Sequence, residues 1–404
     1  MITQSANPST IRDINRANVL DTIRRKERIS QAELAKALSL QPSTILRIIT
    51  DLLEEGLIIR SGQGQATAKG GRRATLLELR PEGAFAVGVD LNSDEINAVM
   101  LDLTGNVVCH HRMASPSDQG PAMVMEALKD VIRELLSIHE DRIDKIIGIS
   151  VGVPGKVDVE AGTSIYAVNF KNWRNVKIRE ELEQAFSLPV YVEREMRSMA
   201  YGENWFGKEH DHMLCLGLFQ SGIGLGLVLN GQLYRGANQL EGDVGHVIVE
   251  PDGPICSCGR RGCLEAVASE KAICKRVNEN RRKRVDGPSA DSKEMNITEI
   301  IESFRLGDKD VERFVQEAVS YLGKILCDLV RVYDPKTIVI GGHALASSPE
   351  FVEAVRVHFN ALQPNYADYV PDIKPVRFAE NSTSIGAATL ILSRIFKPNG
   401  PLAI

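Results

Sequence analysis

The sequence predicts an α/β body of two related lobes behind an amino-terminal winged helix-turn-helix. Three observations predict it. The first eighty residues read as three short helices and a hairpin. A three-strand pattern near residue 85 returns about 125 residues later. Helical patterns follow each copy, the alternation of a mixed sheet covered by helices. At 404 residues the chain exceeds one ordinary core, so two or three domains are expected. Its 43% hydrophobic and 25% charged residues are those of an ordinary soluble globular protein. No apolar run reaches the length of about 18 residues that a membrane span needs. The opening MITQSANPSTIRDINR lacks the apolar stretch of a secretory leader, so a cytoplasmic location is expected.

The head is read first. Ile11, Ile14, Val19, Leu20 and Ile23 recur at helical spacing between Ile11 and Arg25. Ser30-Gln31-Ala32-Glu33 is a capping-box pattern that opens a short second helix, with Leu34, Ala35 and Leu38 facing inward. Pro42 stands at the first position of a third helix that runs to Glu55. Ile45, Ile48, Ile49, Leu52 and Leu53 form its buried stripe, and Gly56 ends it. Residues 57–60 and 74–79 read as the strands of a wing, with a Gly-rich tip between them.

This head suits DNA. Gln41, Ser43, Thr44 and Arg47 lie at the exposed start of the third helix, where backbone N–H groups face phosphate and short polar side chains reach base edges. The wing offers Lys69, Arg72 and Arg73 beside Gly70 and Gly71, cations that phosphates or a minor groove would accept. Charge agrees: residues 1–80 hold 13 Lys and Arg against 8 Asp and Glu, although the whole chain carries a net charge of −5.

The body repeats itself. Residues 85–91, 96–102 and 107–112 are predicted strands, with Gly105-Asn106 as the tight turn before the third. Residues 213–219, 224–229 and 232–234 repeat the pattern around Asn230-Gly231. Of seven cysteines, three crowd into Cys256, Cys258 and Cys263, a spacing that in a cytoplasmic protein argues for metal rather than disulfides. Asn280 to Glu294, with Arg281, Arg282, Lys283 and Arg284 in a row, reads as a solvated loop.

Residues 231–238, Gly-Gln-Leu-Tyr-Arg-Gly-Ala-Asn, continue to Gly245-His246 and to residues 256–265. Together they resemble the long signature of the ROK family of repressors and sugar kinases. The repeat is similar to that family's actin-like (sugar kinase/heat-shock ATPase) fold. With its head the chain resembles the NagC/Mlc/XylR-type repressor branch, over about residues 10–397. The resemblance implies a first ROK lobe over 83–195, rejoined by a carboxy-terminal helix near 384–397, and a second over 196–383 with a dimerisation surface. The head then spans 1–80, with wing and linker at 60–82.

His246, Cys256, Cys258 and Cys263 supply one imidazole and three thiolates, a closed tetrahedral set for one structural Zn2+ per chain. Gly253, Gly259 and Gly262 allow the turns. Such a site would fix the loop that carries sugar contacts, leaving the other ring nitrogen of His246 for a ligand. By family position the sugar contacts are Gly155, Asn169, Glu195, Asp243, His246 and Glu265, with Phe170 and Trp173 as an apolar wall.

Three departures bear on chemistry. ROK kinases carry Glu-x-Gly-His where this chain has Asp243-Val244-Gly245-His246, and Asn-Asp where it has Arg194-Glu195. Their first phosphate loop, Asp-x-Gly-Gly-Thr, is replaced by Asp90-Leu91-Asn92-Ser93-Asp94-Glu95. Both glycines that expose phosphate-cradling N–H groups are absent, and two acids stand where phosphate charge would lie. Gln220-Ser221-Gly222-Ile223-Gly224 and Gly341-Gly342 remain as the second phosphate loop and the adenosine-side turn.

The resemblance therefore implies a transcriptional repressor of carbohydrate metabolism or uptake genes, not an enzyme, with no catalytic residues of its own. Its partners would be operator DNA, a sugar or sugar-phosphate effector, further copies of the chain as a homodimer or tetramer, and a regulatory protein in some relatives. The alternative is a ROK-type ATP-dependent sugar kinase with an appended DNA-binding domain.

Overall fold

The computed structural model describes residues 8–63, 73–207, 211–220, 222–284, 294–364 and 369–398. In the head, α1 (Pro8–Lys26), α2 (Gln31–Leu38) and α3 (Pro42–Glu54) pack around Leu20, Ile23, Leu34, Ile45, Ile48, Ile49 and Leu52, all buried; β1 (Ile29–Ser30) precedes α2. Leu53 is only half-buried, at the margin of its stripe. The capping box forms. Glu33 Oε2 accepts the Ser30 N–H at 2.8 Å while Ser30 Oγ accepts the Glu33 N–H at 3.3 Å. Gly56, at φ 72°, lets the chain leave α3 in the left-handed region. The wing strands β2 (Ile58–Gln63) and β3 (Thr75–Leu79) pair antiparallel, and β1 joins the free edge of β3.

The predicted echo is realised as two sheets of the same topology. The first is built from β4 (Phe85–Leu91), β5 (Glu95–Asp102), β6 (Val107–Ala114), β7 (Ile146–Val153) and a later strand, with α4 (Pro121–Ser137) crossing between β6 and β7. After β7 a small three-stranded sheet of β8 (Lys156–Asp158), β9 (Thr163–Tyr166) and β10 (Arg174–Val176) leads through α5 (Ile178–Phe186) to β11 (Val190–Arg194) and α6 (Glu195–Phe206). The first sheet thus has the order β11-β7-β4-β5-β6.

The second lobe starts with β12 (Met213–Leu218), β13 (Ile223–Leu229) and β14 (Gln232–Leu233). A long loop then leads to α7 (Leu264–Ala268), α8 (Glu270–Arg284), α9 (Ile297–Arg305) and α10 (Lys309–Tyr333). Next come β15 (Thr337–Gly342), α11 (Pro349–Ala361), β16 (Asp372–Pro375) and α12 (Ser382–Ile395). The order β14-β13-β12-β15-β16 mirrors the first sheet strand for strand. The basic run at 281–284 is the last turn of α8, so its first part is helix rather than loop; residues 285–293 lie outside the described residues.

Two helices hold the lobes together. α12 lies on β4 and crosses α6, and glycines set both approaches. A Cβ on Gly88 would meet Ser384 O at 2.0 Å, one on Gly386 would meet Ser198 O at 1.9 Å, and one on Gly202 would meet Gly386 Cα at 2.8 Å. Only backbone without a side chain passes this closely.

The head shares its core with this assembly. Val19, Leu20, Ile23 and Leu79 belong to one buried cluster with Ile385, Leu392, Ile395 and Phe396 of the α12 segment, and Trp205 and Phe206 of α6 pack against it. Arg24 seals the junction. Its guanidinium carbon lies 4.0 Å from the Trp205 ring centroid, Nη1 donates to Trp205 O at 3.4 Å, and Asp21 holds it from the other side at 2.9 Å. The connection is tied to both parts, because the Arg80 N–H donates to Leu57 O and the Leu103 N–H to Pro81 O.

Candidate functional site

The loop between β14 and α7 carries the metal-type residues. His246 ends a short 3-10 turn, Cys256 and Cys258 flank a tight knuckle, and Cys263 caps α7. The knuckle is closed by Cys256 N–H to Arg260 O at 2.7 Å and Gly259 N–H to Cys256 O at 2.9 Å. Gly259 and Gly262 take φ of 86° and 66°, which a side chain would disfavour. The four ligand atoms lie within 4.8 Å of one another. Sγ of Cys258 and Cys263 are 3.7 Å apart, and Nδ1 of His246 is 3.6 Å from Cys256 Sγ. Tetrahedral bonds of ~2.3 Å to sulfur and ~2.0 Å to nitrogen give edges of about 3.8 Å (S···S) and about 3.5 Å (S···N). The residues fit a closed, four-coordinate metal ion. Burial opposes ionisation of Cys258, but N–H and guanidinium donors of Arg260 and the neighbouring thiols lower its pKa, while burial raises those of Cys256 and Cys263.

Of the sugar candidates, Asp243, His246 and Glu265 lie in or beside this loop, and Asn169 shares a cavity with Glu265. Glu265, on the first turn of α7, accepts from Cys256 Sγ at 3.0 Å and Ser257 Oγ at 2.8 Å, and lies 3.6 Å from His246 Nδ1. Asn169, from the first lobe, lines a cavity of about 510 Å³ together with Glu265, Ser257 and Lys271 of the second. Glu195 opens α6, and Asp243 stands before the His246 turn. Gly155, at φ 75°, shapes the turn after β7; a Cβ there would strike Tyr166 O at 2.2 Å. The expected aromatic wall is not at the cleft. Phe170 and Trp173 are 4% and 2% exposed in the first lobe's core, rings 5.0 Å apart, with Trp173 Nε1 satisfied by Ser164 Oγ. A buried indole needs such a partner, and here the core supplies it.

Sequence reasoning missed what Arg194 does. Its guanidinium reaches across the cleft to the Asp243 carboxylate and to the backbone oxygens of Gln239 and Glu241, the latter at 2.9 Å. One helical turn on, Arg197 is buried between Glu193 and Glu241, and Arg235 also binds Glu193. Two arginines three apart facing two acids two apart was the available signal. Asp243 thus enters the cleft already engaged.

Burial pushes Glu195 up to about 7, with Arg194 opposing the rise. An unfolded glutamate titrates near ~4.3. Folding therefore favours the proton, and the stability this contributes is present below that value and fades as pH rises through 7. Glu195→Gln is expected to differ little from the wild type near pH ~4.5 and to exceed it by about 2 kcal/mol at pH 8. That figure is reduced because the residue is only half-buried. Denaturant melts at the two pH values check it.

On the other side of Glu195, a cavity of about 190 Å³ is lined by Asp90, Asn92, Asp94, Glu95, Gln220 and His343. Burial and the nearby Glu195 and Glu95 hold Asp90 well above the usual carboxylate range. Turned with its nitrogen toward Asp94, the Gln220 amide lies 2.6 Å from both carboxylate oxygens. His343 is fixed by Glu270 at 2.6 Å, and that bond raises its pKa. The loop after β4 thus presents carboxylates to this cavity.

On the head, Gln41, Ser43, Arg47 and Arg73 are exposed and Thr44 is half-buried; Lys69 and Arg72 lie outside the described residues.

The sequence pattern of the ROK family matches residues 86–394, and that of a winged helix-turn-helix DNA-binding module matches residues 12–59. The chain belongs to the ROK family. The xylose repressor of Bacillus subtilis (strain 168) is 27% identical over 389 residues, 96% of this chain and 97% of that one. A ROK family transcriptional regulator, described as a homolog of the E. coli MLC protein, superposes with a TM-score of 0.79 at 24% identity, over 96% of this chain and 97% of its own. A ROK family glucokinase from Streptomyces griseus, bound to glucose and AMPPNP, superposes with a TM-score of 0.67 at 25% identity, over 76% of this chain and 99% of its own. The repressor-type relatives span head and body, whereas the kinase matches a length that fits the body alone. No described helix is long and apolar enough to cross a membrane.

Proposed function

We propose that this ROK protein is a DNA-binding repressor of carbohydrate genes, released or engaged by a sugar or sugar phosphate held between its lobes. The observation that carries the reading is α6. Its first residue, Glu195, follows Arg194, whose guanidinium binds Asp243, and its last turn carries Trp205 beneath Arg24 of the head. A rigid helix of about 18 Å thus joins effector site to DNA-binding module. Asn169, Asp243, His246 and Glu265, with Glu195 and the Gly155 turn, supply the acceptors and donors for vicinal hydroxyls.

His246, Cys256, Cys258 and Cys263 would hold one structural zinc ion, whose charge would stabilise the thiolates and fix the loop. Two copies reading two half-sites, as a dimer or within a tetramer, would make the operator a palindrome. A regulatory protein partner and a cytoplasmic location belong to the same reading.

Titration of operator DNA with and without a panel of sugars tests it. Effector and operator are expected to change each other's affinity by the same factor, about five- to 100-fold. Trp205→Ala is expected to leave both binding events in place while shrinking that factor toward one. Equal operator affinity with every sugar would defeat the proposal. Against the kinase alternative stand Asp90, Asp94 and Glu95 around the phosphate position. Turnover of ATP, Mg2+ and a hexose at rates typical of kinases would restore it.

A further inference from the structure

The outward face of α3 is what a helix approaching base edges should carry, with one exception. Ser43, Arg47 and Thr50 are exposed, short or cationic. Leu46 stands among them with 52% of its surface open. The helix buries Ile45, Ile48, Ile49 and Leu52 on its opposite face, so Leu46 has no place in the head's core. Thr50, one turn on, donates its hydroxyl to Leu46 O at 2.9 Å. The proton is spent inside the helix, and Thr50 offers the surface its γ-methyl and a lone pair. Of the three acids at the end of the helix, Asp51 is held by Arg12 of α1 at 2.8 Å and Glu55 by Arg16, while Glu54 is exposed. A partly apolar strip, free of acids from Ser43 to Thr50, therefore runs beside Arg47.

We infer that Leu46 reads the C5-methyl of thymine in the major groove. The inference rests on the reading of α3 as the recognition helix. The thymine methyl is the apolar group on the major-groove edge of a base pair, and an exposed aliphatic side chain at the groove floor gains by covering it. A hydroxyl or amide at position 46 would instead seek N7, O6 or N6. Specificity at this step comes from excluding water between two apolar groups, so cytosine, which lacks the methyl, is rejected.

The test uses the full-length protein and a pool of random DNA duplexes. Bound sequences are selected, and each thymine of the consensus is then replaced by uracil, which removes only the methyl. At one or two positions per half-site, uracil is expected to weaken wild-type binding about fourfold per methyl lost. Leu46→Ala is expected to bind thymine and uracil duplexes alike, with an unchanged melting temperature because the side chain is exposed. Uracil tolerated everywhere by the wild type overturns the inference. So does a variant that binds more weakly while keeping the full uracil penalty, which would place Leu46 against protein. A pool that yields no enriched sequence defeats the DNA-binding reading itself, a different outcome from either.

Discussion

Gly386→Ala is expected to destabilise the protein by about 3 kcal/mol or more and to lower its Tm by roughly 5 to 10 °C. The cause is steric. The added methyl would lie 1.9 Å from the Ser198 carbonyl oxygen, a backbone atom of α6 that no rotamer change can move. Relief requires α12 and α6 to separate, and α12 also lies against β4, where Gly88 permits a similar approach to Ser384 O at 2.0 Å. The strain would thus spread into the first sheet. Because α6 joins Glu195 to Trp205, the surviving fold should also lose effector–operator coupling. Gly222→Ala is the control, since a Cβ there meets nothing within 4 Å and the backbone angle is ordinary. Calorimetry of both variants checks the pair; an unchanged Tm for Gly386→Ala would mean that the helices cross more loosely than described.

The second large effect concerns the cysteine loop. Purified protein is expected to contain one zinc ion per chain, and Cys263→Ser to contain almost none. Cys263 is fully buried at the start of α7, with no room to swing away. Structural zinc contributes on the order of 10 kcal/mol to small domains that fold around it. Here the loop is also closed on itself, through Val249 N–H and Glu250 N–H to Gly262 O and Leu264 N–H to Val247 O, and tied to β13 through Leu225 N–H to Gly242 O. Only part of that energy should therefore appear, as a Tm lowered by about 10 °C. Chelation should reproduce the loss in the wild type, and Ser257→Ala should retain the metal. Sugar affinity should fall with it, because His246 and Glu265 keep their mutual geometry only while the loop holds. Metal content measured by elemental analysis decides the first point independently of stability.

The head and the metal loop were legible in the sequence because their determinants are local. The Ser30–Glu33 box, Pro42, Gly56 and the helical stripe each act within a turn of the chain, and all four ligand-type residues fall in one loop. The lobes were legible because the sequence writes them twice. What escaped was tertiary. β1 has two residues and β8 three, too short for any periodicity to announce them. Whether Phe170 and Trp173 face cleft or core depends on Ser164, nine residues before the indole it satisfies. The Arg194–Asp243 pair joins residues 49 apart, and only the fold reveals that an acid proposed for sugar binding is already occupied by the chain's own cation. The fusion of head and body is of the same kind, because Leu20 and Leu392 share a core across nearly the whole sequence.

That fusion has a consequence for spacing on a promoter. A reading module on a slack tether accepts half-sites at several separations, since the tether absorbs the difference. Here Arg80 and Pro81 are pinned to Leu57 and Leu103, and Arg24 is clamped on Trp205. In an assembly of two copies, the angle between the two reading helices is then a property of the bodies. One extra base pair between half-sites turns the far one by roughly 35° about the duplex axis, and nothing at the neck can twist to follow it.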